Sequence, residues 1–304
     1  MPAGIKELVK LPAGSAFRVL TWEQNLREVS WVVSSEQRQR IDGEGDHWHY
    51  HQALELTCFS RGSGTRFVGD RIQGFKAGEV VLLGENLPHY WHAVEGLSGI
   101  SVQFFFPPAH PVWVFPESQE LEALIKGARR GIHFQGAAAV SLTGLLGQLA
   151  AGDGLERLGL LLLVLAVAAR AAPMEFEYIS TQTFSLSADS DQQNAMRAAM
   201  RFLLTHYREE IHLAQLLEVT RMSKPTFSRY FKKHSGKTLG EFLQQIRVEA
   251  ACRELAGTEK PVIEIALACG FSQISFFNRV FRRAVCCTPS DYRERCRHRP
   301  AEIS

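Results

Sequence analysis

The feature that most constrains this chain is a segment that occurs twice in its C-terminal half. FSRYFKK at 227–233 returns as FNRVFRR at 277–283, an offset of 50 residues. In each copy two phenylalanines lie four residues apart, so on a helix they face the same side. The arginine and the short polar residue between them face the other side, and a basic pair follows. The repeat predicts two equivalent helices, each with an apolar inner face and a polar, basic outer face.

A shorter helix and a turn precede each predicted helix. Residues 265–271 (IALACGF) offer a small residue for a close helix crossing and Gly270 for a tight turn, which is typical of a helix-turn-helix unit. Residues 216–222 (LLEVTRM) take the corresponding place in the first copy, and Ser223 is a candidate N-cap of the next helix. The C-terminal half therefore contains one structural unit twice.

The net charge of +2 hides an asymmetry between the two halves of the chain. Residues 193–304 contain 19 Lys+Arg and 11 Asp+Glu, which leaves 15 and 21 for residues 1–192. A basic segment attracts a polyanion, and paired helix-turn-helix units favour double-stranded DNA. A chance excess of charge on a solvated surface is the alternative, but it leaves the recurring arginine and basic pair unexplained.

These motifs resemble the AraC/XylS family of bacterial transcription regulators. The resemblance runs through IEIA at 263–266, Gly270-Phe271, FNRVFRR at 277–283 and TPSDYR at 288–293, and it covers about residues 192–294. It implies two helix-turn-helix units, joined by a helix around 239–255, that enter successive major grooves on one face of the DNA.

The resemblance also implies which side chains touch DNA: base contacts near the start of each repeated helix, and phosphate contacts by the basic pairs. The candidate DNA-binding residues are Lys224, Pro225, Ser228, Arg229, Lys232, Lys233, Gln273, Ile274, Ser275, Asn278, Arg279, Arg282 and Arg283.

Four positions depart from the family's pattern. Leu217 and Arg221 replace the usual Ala and turn Gly of the first unit, which predicts an altered turn. Pro225 offers only van der Waals contact where relatives often carry a base-reading side chain. Cys286 replaces a Gly after the second repeated helix, and a non-Gly residue in a left-handed cap costs roughly 1 kcal/mol.

The N-terminal half has a different periodicity. Over residues 15–106, short apolar or alternating runs separated by turn residues predict the strands of a sandwich or barrel. Residues 117–131, about 138–150 and 155–171 predict helices, and the third is apolar on all sides, as in a buried core helix or a subunit interface. We expect a multidomain α+β chain with a cupin-like effector-binding domain at 1–116, a helical extension able to dimerise at 117–172, a linker at 173–191 and an all-α DNA-binding domain at 192–304.

Two clusters in the β region have the spacing of metal ligands. His49, His51 and Glu55 form the first, and His89 closes the second, which begins at Gly78. The first cluster resembles the His-x-His…Glu motif of the cupin barrel throughout, and the second departs from the motif at two positions. Residues i and i+2 of a strand share a face, so both histidines of the first cluster point inward. Three imidazoles and one carboxylate suit a divalent transition metal such as Zn, Fe, Mn or Ni.

Two interpretations of this pocket stay open. His49, His51, Glu55 and His89 either hold a metal or form a metal-free polar pocket for an effector such as a sugar or a related metabolite, with Trp48 and Trp91 beside it. The alternative from another class is a metal-dependent cupin enzyme, of the dioxygenase or isomerase type, with an appended helical module. We expect no enzyme, because a DNA-binding domain on the same chain makes turnover superfluous.

Composition bounds the remaining expectations. Six cysteines without CxxC spacing indicate a reducing compartment, and the longest apolar run, twelve residues at 158–169, is too short for a membrane span. We expect a cytoplasmic, ligand-responsive transcription regulator. Its expected partners are double-stranded promoter DNA, a small-molecule effector, RNA polymerase and a second copy of the chain.

Overall fold

The computed structural model describes residues 16–42, 47–93, 96–184 and 190–298, together with Val9, Leu11 and Leu186. The chain forms two compact units with their boundary between Gln193 and Asn194. Within the described residues, no helix is long and apolar enough to cross a membrane.

Two antiparallel sheets build the first unit. Their strands are β1 (Phe17–Trp22), β2 (Glu28–Val32), β3 (Arg38–Asp42), β4 (Leu54–Arg61), β5 (Ser63–Val68), β6 (Arg71–Lys76), β7 (Val80–Leu83), β8 (His89–Ala93), β9 (Ser98–Phe104), β10 (Ile132–Phe134) and β11 (Phe176–Tyr178). One sheet has the order β11-β10-β7-β4-β9-β1-β2-β3, and the other has the order β6-β5-β8. Among the described residues neither sheet closes through hydrogen bonds, so the unit is rich in sheet, as predicted, without forming a closed barrel.

The two faces of the large sheet belong to different cores. Side chains alternate along each strand, so neighbours such as Val19 and Leu20 point to opposite faces. Val19 joins a core shared with helices, whereas Leu20 joins a core shared with the small sheet. Glu55 and Gln103 alternate with the helix-facing Leu56 and Val102, so both lie on the face between the sheets.

Three helices cover the outer face of the large sheet: α1 (Glu120–Ala128), α2 (Gly136–Ala151) and α3 (Gly154–Ala169). Single 3₁₀ turns lie at Pro111–Val114, Pro116–Gln119 and Pro173–Glu175. The helices share their core with the strands, so residues 117–172 form one compact unit with the sheets.

Within the described part of the chain, the buried apolar side chains of α3 lie on one face. Leu161, Val164, Leu165 and Ala168 lie in the core. The exposed large apolar side chains of α3 are Leu155, Leu158, Leu162 and Leu163. Among the residues that the structure describes, this helix is therefore not buried on all sides, and four of its leucines are exposed.

The segment predicted as a linker, 173–191, begins inside the first unit. Its strand β11 pairs with β10. Asp70 then accepts hydrogen bonds from the Ser180 hydroxyl and the Thr181 amide, each at 2.9 Å. These partners are distant in sequence and the segment lacks alternation, so local pattern gave no sign of the pairing.

Helices make up the described part of the second unit. They are α4 (Ser190–His206), α5 (Leu213–Thr220), α6 (Lys224–Ser235), α7 (Leu239–Gly257), α8 (Val262–Ala268), α9 (Ile274–Val285) and α10 (Pro289–His298). The pairs α5/α6 and α8/α9 are the two helix-turn-helix units, and α7 connects them. Both predicted phenylalanine pairs are buried with ring centroids 5.4 Å apart, Phe227–Phe231 in α6 and Phe277–Phe281 in α9.

The two helix-turn-helix units differ where the sequence departs from the family's pattern. Arg221 ends α5 with φ 53°, and Cys286 ends α9 with φ 62°. Their counterparts in the other unit are glycines, Gly270 with φ 88° and Gly236 with φ 70°. Each helix-turn-helix unit thus contains one non-glycine residue in the left-handed region, and this residue strains the backbone there.

Candidate functional site

The predicted DNA-binding side chains form two equivalent exposed surfaces in the second unit. Twelve of the thirteen residues are exposed, and Ile274 is half-buried. The buried phenylalanine pairs orient both helices, so the polar residues between the phenylalanines face solvent. A helix of this kind presents its N-terminal residues to base edges when it enters a major groove.

Aromatic contacts hold the two central arginines. The Arg229 guanidinium lies 5.2 Å from the centre of the Tyr230 ring, and the Arg279 guanidinium lies 5.2 Å from the centre of the Phe276 ring. Such a contact is favourable by about 0.5–1 kcal/mol at an exposed site. One member of a basic pair has a different role within the chain, since Arg283 donates to Gln244 of α7 at 2.9 Å.

In the first unit, three buried imidazoles meet between the two sheets. His49 and His89 form an isolated antiparallel bridge whose two backbone hydrogen bonds measure 3.1 and 2.9 Å. The His51 ring centre lies 5.6 Å from that of His49 and 5.0 Å from that of His89. One ring nitrogen of each histidine lies within 4.8 Å of the others, close enough to share one metal ion. His89 reaches the cluster from the three-stranded sheet, which lies opposite the sheet that carries Glu55.

Backbone carbonyls fix the tautomer of all three rings. Each Nδ1 atom lies within hydrogen-bond distance of a carbonyl oxygen: His49 with His47 at 2.7 Å, His51 with Ala53 at 2.9 Å and His89 with Leu87 at 2.8 Å. A carbonyl only accepts, so Nδ1 must carry the proton and donate it. A neutral ring then keeps a lone pair on Nε2, the arrangement typical of metal-binding histidines. This holds for His49 and His89, whereas His51 Nε2 lies 3.1 Å from the Glu55 carboxylate, to which it donates.

Glu55 lies beside the three imidazoles, close to His51 and His89. One of its carboxylate oxygens, Oε2, lies 3.1 Å from His51 Nε2 and accepts a hydrogen bond from the Gln103 amide at 2.7 Å. The Thr57 hydroxyl donates to the other oxygen at 2.7 Å. Burial by itself raises the pKa of Glu55, but the His51 hydrogen bond, the electrostatic interactions with His89 and His51 and the Gln103 hydrogen bond together hold the pKa well below its usual value. The carboxyl group is therefore ionised.

Two of the imidazoles are neutral. Burial, followed by repulsion from the neighbouring imidazoles, lowers the pKa of both His49 and His89 to about 3. Neutral imidazole and ionised carboxylate are the forms that ligate metals.

The chemistry of the donor set fits a divalent transition metal. His89 Nε2 is buried, lies 3.9 Å from the Glu55 carboxylate and has no hydrogen-bond partner in the described part of the chain. An unsatisfied buried polar atom costs about 1–3 kcal/mol. A metal ligated by the three Nε2 atoms and a Glu55 oxygen would satisfy it, and such ligands suit Zn or Fe.

A small cavity adjoins the cluster. Its volume is about 30 Å³, and its wall consists of Leu20, Trp22, Leu26, Val29, His49, Glu55, Thr57, Trp91, Ser101 and Gln103. This space holds roughly two water molecules, so an intact sugar ring does not fit unless the wall rearranges. Trp91 lies in the wall. Trp48 does not, and its ring packs edge-on against Phe67, with centroids 6.4 Å apart.

Several polar residues in the wall or bonded to it were not predicted from the sequence. By strand register Arg18, Gln103 and Glu55 form a row across β1, β9 and β4, and Arg18 Nε donates to Gln103 Oε1 at 2.6 Å. Thr57 and Ser101 are neighbours in the next row, with hydroxyl oxygens 3.2 Å apart. Polar residues at inward positions of apolar strands were the available signal, but strand order was needed to bring them together.

Comparison with known proteins decides the family. A family model described as a helix-turn-helix domain matches residues 216–295. Regulatory protein SoxS of Salmonella typhimurium is 33% identical over 103 residues, which are 34% of this chain and 96% of SoxS. The chain belongs to the AraC family of transcriptional regulators.

Longer similarity extends beyond the DNA-binding unit. HTH-type transcriptional activator RhaS of Pectobacterium carotovorum subsp. carotovorum is 25% identical over 258 residues, which cover 81% of this chain and 86% of RhaS. The crystal structure of a probable AraC family transcriptional regulator from Rhodopseudomonas palustris is 26% identical and covers 34% of this chain and 97% of its own, with a TM-score of 0.32. This AraC-family protein is a ligand-responsive, DNA-binding transcription regulator.

Proposed function

We propose that this regulator reads promoter DNA with α6 and α9. The observation that carries the proposal is the equivalence of the two helices: each exposes a short polar residue and an arginine, held over an aromatic ring, at matching positions. Ser228 and Arg229 would contact bases in one major groove, and Asn278 and Arg279 in the next. Lys232, Lys233, Arg282 and Arg283 would contact phosphates.

The test is binding of the full chain to fragments from upstream of its own gene and of neighbouring operons, followed by fluorescence anisotropy. We expect one fragment to bind at least about 1,000-fold more tightly than random DNA at physiological salt. The logarithm of the affinity should fall linearly with that of the salt concentration, because phosphate contacts release counterions. Equal affinity for all fragments at every salt concentration would refute the assignment.

We further propose that the buried histidine site is the sensor, and that His49, His51, His89 and Glu55 hold a divalent transition metal there. The tautomers set by three carbonyls and the unsatisfied His89 Nε2 support this choice over a metal-free pocket. When bound, the ion would supply a Lewis acid with a coordination position left for a ligand. We propose no enzymatic turnover, because the relatives matched over most of the chain are named transcription regulators.

Metal analysis of the purified protein and titration with Co²⁺ test this part. Wild type should bind one Co²⁺ per chain, and His89→Ala should weaken the binding at least about tenfold. His206→Ala removes a half-buried histidine of the second unit, outside the proposed site, and is the matched control. The metal-free alternative is supported instead if wild type and His89→Ala bind Co²⁺ equally weakly.

The effector is proposed to act by preferring one of two conformations, since a ligand with equal affinity for both shifts nothing. A sugar or related metabolite would have to open the wall of the small cavity.

The exposed leucines of α3 are proposed to pair with a second copy: Leu155, Leu158 and Leu162 recur at spacings of three and four, as along a helix–helix seam. RNA polymerase is proposed as a partner because the relative RhaS is named an activator.

A further inference from the structure

Two residues that line the cavity beside the histidine cluster carry buried donors that lack acceptors. Trp22 and Trp91 both line it, and each side chain is only 4% exposed. Neither indole N–H has a hydrogen-bond partner among the residues that the structure describes. The wall's hydroxyls and amide, on Thr57, Ser101 and Gln103, are already bonded within the wall. An indole N–H only donates, so a ligand that satisfies this wall must bring acceptor atoms.

With the proposed divalent ion bound, electrostatics favour a negative charge on that ligand. Arg18 is buried and donates to Gln103, which in turn donates to Glu55, so one buried cation and one buried anion are coupled through an amide. On binding the divalent ion proposed above, the site would gain net positive charge. Uncompensated buried charge is costly, which favours an anion over a neutral ligand.

Size and wall chemistry limit the anion. The cavity of about 30 Å³ admits only a few non-hydrogen atoms. Part of its wall is apolar and is formed by Leu20, Leu26 and Val29. This part suits an anion that has either a short hydrocarbon tail or none. Ordinary pockets for larger ligands measure roughly 300–1,000 Å³.

We propose that this cavity binds a small oxyanion, of the size and class of a short-chain carboxylate, and that Trp22 and Trp91 donate their indole N–H groups to its oxygens. The inference rests on the proposed function, because it assigns a ligand class to the proposed sensor site. It excludes a neutral, hydroxyl-rich ligand as the occupant of the present cavity.

Titration of the full chain, loaded with Co²⁺, tests the ligand class. The probes are sodium acetate, sodium nitrate and acetamide, and the signals are the visible spectrum of Co²⁺ and the tryptophan fluorescence. Acetate should give a saturable change, whereas acetamide, a neutral molecule of the same shape, should give none over the same range. The ranking of acetate against nitrate distinguishes an organic from an inorganic oxyanion.

Two variants test the donors. Trp22→Phe and Trp91→Phe keep an aromatic ring and remove only the N–H group, so each should weaken acetate binding roughly tenfold while Co²⁺ affinity stays unchanged. Trp113→Phe is the matched control, because the Trp113 N–H already donates to the Pro107 carbonyl at 3.0 Å, away from the cavity.

Acetamide binding as tight as that of acetate would overturn the inference, and so would wild-type acetate affinity in both phenylalanine variants. Failure of the two proposals can be told apart. If Co²⁺ does not bind, the metal proposal falls, and the same titrations of metal-free protein, followed by fluorescence, then decide whether the indoles hold an oxyanion.

Discussion

At the scale of single residues, Arg279 and Lys233 separate base recognition from phosphate attraction. Arg279 lies in the exposed N-terminal half of α9, over the Phe276 ring, where it would reach a base edge. Arg279→Ala should cost about 1–3 kcal/mol on the preferred promoter fragment and relax the preference at one base pair. Competition binding with single-base variants of that fragment measures both effects.

Lys233→Ala is the matched control at the basic pair of α6. A phosphate contact carries no sequence information, so this variant should weaken binding to all fragments alike and lower the slope of the salt dependence by about one. An Arg279→Ala variant with unchanged affinity and unchanged base preference would remove α9 from the recognition surface.

Cys286 tests the cost of the left-handed cap of α9. The residue is exposed with φ 62°, whereas Gly236 serves the same position after α6. Cys286→Gly should raise the free energy of unfolding by about 1 kcal/mol, because glycine relieves the strain of its Cβ atom. Urea unfolding measures the change. Gly236→Ala should shift the midpoint the opposite way, and equal midpoints for all three proteins would contradict the assignment.

His234 predicts that acid destabilises the second unit. Burial and the neighbouring Lys233 charge lower its pKa in the folded state to about 4, against about 6.5 in an unfolded chain. The unfolded state therefore binds the proton first, and stability is lost as the pH falls from about 6.5 towards 4. At pH 5 the loss should be about 2 kcal/mol relative to pH 7.5.

Urea unfolding at the two pH values, with His234→Gln as comparison, measures this loss. Glutamine does not titrate, so the variant should lose about 2 kcal/mol less than wild type over the same interval. An identical pH dependence in both proteins would assign the acid sensitivity to other groups.

Site residues could be predicted from the sequence where the intervals between them form a recognisable motif. His49, His51, Glu55 and His89 were selected from their intervals, and the structure brings them together. Arg18, Gln103, Thr57 and Ser101 were missed, because their importance arises from cross-strand register in β1, β4 and β9. Trp22 escaped because a single aromatic residue ending an apolar run does not differ from a core residue.

At the scale of elements, helices and strands followed from periodicity, but their partners did not. The predicted helices near 117–131, 138–150 and 155–171 correspond to α1, α2 and α3. The pairing of β11 with β10 joins segments that are far apart in sequence, so no local pattern announces it. The C-terminal helices were the most predictable elements, since the repeated segment shows the same spacing of phenylalanine, arginine and basic residues twice.

Helix α3 carries a prediction about assembly. Leu158 and Leu162 are 38% and 46% exposed, and burying such side chains against a second copy contributes roughly 25 cal/mol per Å². Replacing both with lysine should leave the fold intact and shift the protein to monomers, which sedimentation velocity detects. Val114→Lys, at another exposed apolar residue, is the control. A wild-type protein that stays monomeric at every concentration would contradict the interface.

At the scale of the whole molecule, two chemistries share one chain. The first unit keeps an ionised carboxylate and neutral imidazoles away from water, and the second exposes arginines and lysines to it. The first arrangement suits a small charged ligand, and the second suits a polyanion. A regulator needs a free-energy coupling between such sites, and that coupling must act in both directions.

Because the coupling acts in both directions, it can be measured either as a change in DNA affinity or as a change in Zn²⁺ affinity. If saturating Zn²⁺ tightens or weakens binding of the preferred promoter fragment by a factor, then saturating fragment must change the Zn²⁺ affinity by the same factor. A tenfold effect corresponds to about 1.4 kcal/mol. His51→Ala should abolish both changes, because His51 contributes a ring nitrogen to the proposed site, whereas His206→Ala should keep both. Zn²⁺ that binds tightly in wild type yet leaves the DNA affinity unchanged would make the ion a structural component, and the signal would then have to come from the ligand in the adjoining cavity.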